Sequence, residues 1–241
     1  MFKILKRLLK KSDVENKSLS DEYLEIVRKF GELGIRIQDI KTLEVSVWEI
    51  IYKSLVSLYK KYPEVSEGFI REIKFNKISN GAAMTYFPMV EPNCYDTTKG
   101  VFIALNKHYF LNVEKFKNIL HKTGLPYEAG YEFTIAHEFG HIIEFNYCIK
   151  NKLIPFGASI SEDDILMVIK NLPISKEIVN AEIVSLYPKR NPSNISIEGV
   201  LSELIDCVAS IDAGEAFAEA IAFDYFSIDN ILVKEDMMNI Q

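Results

Sequence analysis

The segment FTIAHEFGHIIEF, residues 133–145, decides how the rest of the chain is interpreted. It places two of the chain's four histidines, His137 and His141, four positions apart, with Glu138 between them. The flanking residues contain no proline and no glycine other than Gly140, so one helix is predicted over residues 131–149. Burying ionisable groups on an apolar helix costs several kcal/mol unless something compensates. The pattern therefore indicates a metal site.

The spacing H-E-x-x-H suits a single zinc ion. Residues four apart lie one above the other on a helix face, so both imidazoles can reach one ion at the usual distance of about 2.0–2.1 Å. Glu138 is offset by one residue and can take a proton from a zinc-bound water as that water attacks a carbonyl group. The alternative is two partly exposed histidines beside a surface glutamate. The apolar flanks and the low histidine content favour the metal site.

A catalytic zinc site needs a third protein ligand as well as an open position. The other histidines, His108 and His121, lie upstream of the motif. Glu144 comes one turn after His141, and its side chain is expected to point along the helix. These three residues are therefore weak candidates for the third ligand.

The better candidates lie in DAGEAFAEAIAFDYF, residues 212–226. Glu215 and Glu219 are four apart and share one helix face with Ala218 and Ala222. Such a face presents acid while letting another helix approach closely. The alternative is an ordinary alanine-rich amphipathic helix with an exposed acidic stripe.

The motifs H-E-F-G-H at 137–141 and E-A-F-A-E-A at 215–220 together resemble the catalytic core of zinc metallopeptidases related to anthrax lethal factor. This gluzincin group includes Pro-Pro endopeptidases and proteins of phages and mobile elements, and the resemblance covers roughly residues 65–230. It implies a zincin-like fold with Glu215 as the third zinc ligand, Glu138 as the catalytic base and Glu219 as a supporting second-shell carboxylate. It also implies that GVFIALN, residues 100–106, is the edge strand along which an extended peptide substrate binds.

One position departs from the family pattern. Relatives commonly carry a tyrosine seven residues before the ligand glutamate, where its hydroxyl stabilises the oxyanion, and this chain has Val208 there. Tyr131, Tyr187 and Tyr225 are candidate substitutes, and the sequence selects none of them. Because loss of an oxyanion donor typically costs about 10²–10³ in rate, a slow or substrate-restricted enzyme is expected.

The hydrophobic pattern changes period along the chain and predicts an α+β fold, with helices, then a small mixed or antiparallel sheet packed on the H-E-x-x-H helix, then helices. A helical segment is expected over residues 1–62 and a metallopeptidase domain over 63–241. The predicted elements are a helix from Ser20 to Gly31, a helix over 37–62, strands at 71–78 and 82–87 joined by a turn, a loop over 89–100, a strand at 101–106, and helices from Asn112 onwards.

Composition limits the possible functions. The net charge of −6 gives no reason to expect a nucleic-acid partner. Residues 1–12 carry five positive charges and no acid, which suits either a helix docked on the core or a basic amphipathic helix at an anionic surface. Bases interrupt this segment too often for a signal peptide, and no stretch reaches the about 18 apolar residues of a membrane span. Cys94, Cys148 and Cys207 are too widely spaced for a disulfide framework, so a cytoplasmic or virion-associated protein is expected.

Three functions follow from these patterns. The leading one is a zinc-dependent endopeptidase acting on a peptide or protein substrate. The second is a repressor-cleaving metallopeptidase of the mobile-element immunity type, which ranks lower because 74 positions separate His141 from Glu215 here and those enzymes have a shorter interval. The third is a structural or interaction protein, with a phage or mobile-element partner, that keeps the metallopeptidase scaffold. Val208 favours the third and Glu138 argues against it.

Overall fold

The computed structural model describes residues 20–76, 78, 81–122 and 130–170, together with Glu215, Ala218, Ile221, Ala222 and Tyr225. Helices and strands alternate in an order that confirms the predicted α+β class. The helices are α1 (Asp21–Glu32), α2 (Val45–Lys61), α3 (Lys107–Phe110), α4 (Val113–Lys122), α5 (Tyr131–Lys150) and α6 (Glu162–Lys170). The strands are β1 (Arg36–Ile37), β2 (Ile70–Asn76), β3 (Ala83–Tyr86), β4 (Met89–Glu91), β5 (Cys94–Tyr95), β6 (Val101–Asn106) and β7 (Ile160–Ser161). The five separate C-terminal positions are all helical, and we refer to them as the Glu215 helix.

The main sheet is mixed and has the strand order β1-β2-β6-β3. β2 pairs with β1 and β6 in parallel, whereas β3 pairs with β6 antiparallel, with Thr85 opposite Ile103. A second, three-stranded sheet has the order β4-β5-β7. Both sheets are small, and the first packs on α5 through β3.

The structure corrects the predicted role of the strand at 101–106. This strand, β6, is internal, with β2 on one side and β3 on the other, so it is not the edge strand. Its apolar side chains are buried on both faces, which is why VFIALN is almost continuously hydrophobic. β3 is the terminal strand instead. β2 and β3 also do not form the expected hairpin, because β6 lies between them.

Three smaller predictions also change. Residues 89–100, expected as a loop, contain β4, β5 and a 3-10 helix at Thr97–Lys99. The N-terminal segment, expected to be purely helical, contributes β1 to the main sheet, and its second helix begins at Val45 after a 3-10 turn. The region after Asn112, expected to be helical almost throughout, contains the two-residue strand β7. These strands are two or three residues long, too short for a periodic hydrophobic pattern to reveal them.

One hydrophobic core joins the N-terminal helices to the sheet and to α5. Trp48 of α2 is fully buried, with its ring 5.8 Å from that of Phe30 in α1 and 6.0 Å from that of Phe75 in β2. Tyr59 of α2 contacts Phe139 of α5 edge to face, with ring centroids 5.3 Å apart. The domain boundary at residues 62/63 stays a prediction. None of the helices in the described part of the chain has the length and apolar character that a membrane span requires.

Candidate metal centre

Helix α5 carries the H-E-x-x-H motif and is buried on nearly all sides. Its bounds match the predicted helix to within one residue, and 14 of its 20 residues are buried. A helix that is apolar all round is typical of the centre of a fold. The motif therefore lies in the interior, where His137 and His141 keep 13% and 18% of their side-chain surface exposed.

The structure brings Glu215 to the two histidines. One Glu215 carboxylate oxygen lies 3.2 Å from His137 Nε2 and the other lies 3.7 Å from His141 Nε2. One ligand atom from each of the three residues falls within 4.8 Å of the others. Three ligand atoms held about 2.0–2.1 Å from a tetrahedral zinc would lie about 3.3 Å apart, so the trio fits zinc in both donor type and spacing.

A close contact between two helices makes this geometry possible. A Cβ atom placed on Gly140 would lie 2.5 Å from the Cα atom of Ala218 and 3.1 Å from its Cβ atom. Ala218 is fully buried and comes three positions after Glu215, about one helical turn. The absence of a side chain at residue 140 therefore lets the Glu215 helix approach α5 closely enough for the carboxylate to reach both imidazoles.

Glu138 is buried beside the trio and lacks a complete set of partners. It is 4% exposed, and its Oε2 atom has no hydrogen-bond partner among the described residues. A buried carboxylate oxygen without a partner is costly, and in a native protein it usually marks a reactive or ligand-binding group. The Glu138 backbone is held separately, since the Thr85 hydroxyl donates to the Glu138 carbonyl oxygen over 3.3 Å.

Glu144 has a role that the sequence analysis missed. It is 1% exposed, and its Oε2 atom lies 3.2 Å from His141 Nδ1, on the side of the ring away from Glu215. A carboxylate in this position fixes the imidazole tautomer, so that Nε2 is left free to bind a metal. The i, i+3 spacing from His141 to Glu144 was the available signal, because residues three apart meet on a helix surface.

Electrostatics within the cluster reflect the same contacts. Burial lowers the pKa of His141, but hydrogen bonds to Glu144 and Glu215 outweigh burial and leave that pKa well above its usual value. Burial raises the pKa of Glu215, but hydrogen bonds from His137 and His141 outweigh it and leave the pKa well below its usual range. In the absence of a metal ion, the Glu215 carboxylate and the imidazole groups thus stabilise one another's charged forms.

The other predicted site residues lie elsewhere. His108 is exposed, with Nε2 3.1 Å from Lys115 Nζ, and takes no part in the cluster. Tyr131 cannot supply the oxyanion donor as considered above, because it is 1% exposed, is stacked on Phe110 and donates its hydroxyl to the Phe110 carbonyl oxygen over 2.9 Å. Three positions named in the sequence analysis, Tyr187, Val208 and Glu219, lie outside the described residues, as does the side chain of His121.

Tyr225 belongs to the Glu215 helix but lies ten positions beyond the carboxylate. The Tyr225 side chain packs against the hydrophobic core. This packing argues against Tyr225 as the oxyanion donor.

Comparison of the chain with protein-family models gives no match, and neither the curated proteins nor the solved structures searched contain a similar protein. The resemblance to lethal factor-type metallopeptidases therefore rests on the two sequence motifs alone.

Proposed function

We propose that this chain is a zinc-dependent endopeptidase with a zincin-like fold. The observation that carries the proposal is the meeting of His137, His141 and Glu215 beside the buried, incompletely bonded carboxylate of Glu138. Two imidazoles and one carboxylate are a donor set of catalytic zinc, which leaves a fourth position open. A purely structural zinc site is closed by four protein ligands and has no use for a neighbouring base.

The proposed chemistry divides between the ion and the protein. Zinc, when bound, supplies a Lewis acid that polarises water and the substrate carbonyl group. Glu138 accepts the proton of the attacking water and passes it to the leaving amine. The burial of Glu138 and its Oε2 atom, which has no hydrogen-bond partner among the described residues, suit this role. Glu144 holds the His141 ring in place through Nδ1, and Glu219 keeps its proposed supporting role.

Strand β3 replaces β6 as the proposed substrate-binding edge. The Asn106 N–H donates to the Ala82 carbonyl oxygen, which marks residues 82 and 106 as a hydrogen-bonded pair. Because such pairs alternate along antiparallel strands, the N–H and C=O groups of Ala83 and Thr85 point away from β6. An extended peptide can add to these groups as a further strand. Since the Thr85 hydroxyl donates to the Glu138 backbone carbonyl oxygen, the peptide would lie beside this part of α5.

Metal analysis and peptide cleavage test the proposal together. The wild-type protein should bind one zinc ion per chain and cleave peptides from a mixed library. Glu138→Gln should keep the fold and the zinc and lose cleavage, because glutamine matches glutamate in size but cannot accept the proton at neutral pH. Glu132→Gln makes the same chemical change in the first turn of α5 and should behave like the wild type.

The outcomes separate the candidate functions. Equal cleavage by wild type and Glu138→Gln would exclude Glu138 as the base. Zinc binding without cleavage of any peptide by the wild type would contradict the endopeptidase and favour a scaffold protein that keeps the metal site. Absence of zinc binding would contradict both.

A further inference from the structure

The segment around β3 and β4 is unusually free of charge. Residues 78–90, with the sequence ISNGAAMTYFPMV, form the longest run in the chain without a charged residue. At the chain's average of 26% charged residues, about three would be expected in these 13 positions. We call residues 83–90, which contain all of β3 and the first two residues of β4, the apolar edge.

The apolar edge lacks the charged side chains that commonly protect an exposed strand. β3 ends the main sheet and β4 ends the small sheet among the described strands. Natural proteins normally shorten such strands, or place lysine or another charge, a proline or a bulge in them, to prevent pairing with other chains. Here both strands are short, Pro88 lies between them and the β4 register is irregular between Met89 and Glu91. The side chains of Met84, Met89 and Val90 are nevertheless 44%, 55% and 42% exposed, and an uncharged edge of this kind can accept another extended chain.

The same segment lies along the candidate metal centre. At one end the Thr85 hydroxyl contacts the Glu138 carbonyl oxygen. Further along, the Phe87 ring lies 4.7 Å from that of Phe145, which is four positions after His141 on α5. A chain that pairs with the apolar edge therefore passes directly over the metal-binding part of α5.

We infer that the apolar edge selects substrates by the absence of charge, so that the protein acts on extended, uncharged and largely apolar peptide segments. This inference rests on the proposed endopeptidase function. Side chains of a paired strand alternate between the two faces of the sheet, and those on the outer face lie against Met84 and Tyr86. A lysine or aspartate there loses water to a methionine side chain. Lys74 lies on the same face, with Nζ 5.3 Å from the Tyr86 ring centroid, so it repels the lysine and compensates the aspartate only in part.

The occupant is a substrate peptide and not a second copy of this chain. β3 and β4 contribute only four and three residues and belong to different sheets. A flexible peptide can follow both strands around Pro88, whereas a rigid copy of the same bent edge cannot pair along its length.

Binding can be measured separately from cleavage. The zinc-loaded full-length Glu138→Gln protein is titrated with an eight-residue peptide of alternating valine and serine, and with versions carrying two lysines or two aspartates in place of two valines. The uncharged peptide should bind at least tenfold more tightly than the lysine version, equivalent to about 1.4 kcal/mol at 25 °C, and more tightly than the aspartate version by a smaller factor. Met84→Lys and Met89→Lys should each increase the preference for the uncharged peptide over the lysine peptide, and should reduce its preference over the aspartate peptide by about tenfold. Met167→Lys is the matched control, because Met167 is 66% exposed on α6 and should leave the preference unchanged.

Cleavage of the same peptides by the wild-type protein completes the test. Discrimination in binding with no cleavage would support the apolar edge and contradict the endopeptidase. Cleavage of charged and uncharged peptides with equal kcat/KM would overturn the inference and leave the endopeptidase standing. A Met167→Lys variant that changes the preference as much as Met84→Lys would also overturn it. So would concentration-dependent dimerisation that Met84→Lys abolishes, because the occupant would then be a second copy.

Discussion

Gly140→Ala should weaken zinc binding by pushing the Glu215 helix away from α5. The added Cβ atom would lie 2.5 Å from Ala218 Cα, whereas carbon atoms in contact normally stay about 3.5–4.0 Å apart. The two helices must therefore separate by about 1 Å. Zinc sites tolerate only about 0.2 Å in ligand distance, and Glu215 is one turn from the point of contact.

The size of the effect follows from packing energetics. Overpacking a core typically costs about 1–3 kcal/mol, and zinc binding requires the helices to remain at the closer spacing. That strain corresponds to a loss of zinc affinity of about 5- to 150-fold. Folding itself should change less, since alanine gains up to about 1 kcal/mol over glycine inside a helix.

Competition with a chromogenic chelator measures the affinity, and thermal unfolding without zinc measures the fold. Gly31→Ala is the matched control, because Gly31 lies within α1 and a Cβ atom there meets nothing within 4 Å. It should keep wild-type zinc affinity. Adding Ala218→Gly to Gly140→Ala should restore little, since the nearest atom is the Ala218 backbone. Wild-type affinity in Gly140→Ala would refute the argument that close helix approach builds the site.

Three further predictions concern individual side chains of the site. Because the Glu144 carboxylate orients His141, Glu144→Ala should lower zinc affinity by about 10- to 100-fold, and Glu144→Gln should have an intermediate affinity. Chelator competition measures this, and equal affinity in the wild type and both variants would contradict it. Zinc at about 100 times its dissociation constant should raise the free energy of unfolding of the wild type by about 2.7 kcal/mol and should leave that of Glu215→Ala unchanged. Thermal or denaturant unfolding measures this, and equal stabilisation of both proteins would show that Glu215 is not a ligand. Tyr131→Phe should lower the free energy of unfolding by about 1 kcal/mol, because it loses the hydrogen bond to the Phe110 carbonyl oxygen, and should leave kcat unchanged. A 100-fold loss of kcat would indicate instead that Tyr131 is the oxyanion donor.

The parts of the candidate site that sequence alone can place are those encoded by local spacing. The i, i+4 pair His137 and His141 needs only a helix to face one point, and α5 has nearly the predicted bounds. The position of Glu215 required more, since 74 positions separate it from His141 and only the family resemblance selected it over Glu219. The structure brings Glu215 to the histidines as the resemblance implied.

The sheet was harder to predict because its order depends on long-range pairing. The pattern located β2, β3 and β6 to within about two residues. It could not show that β6 enters between β2 and β3, because an apolar run fits both a central strand and a half-buried edge strand. In the structure Val101, Ile103, Ala104 and Leu105 are buried, as expected for a strand with neighbours on both sides.

The two motif positions that metal chemistry leaves unspecified carry much of the architecture. Phe139 is fully buried between Tyr59 and Tyr62, with ring centroids 5.3 Å and 6.2 Å away, and so fixes α5 against the N-terminal part of the chain. Gly140, its neighbour, admits Ala218 on another side of the helix. Histidines at 137 and 141 would bind zinc poorly without this packing, since two ligands on one helix cannot position a third on another. The sequence H-E-F-G-H thus contains two of the proposed metal ligands and, through its middle residues, determines the helix packing that brings the third proposed ligand, Glu215, to them.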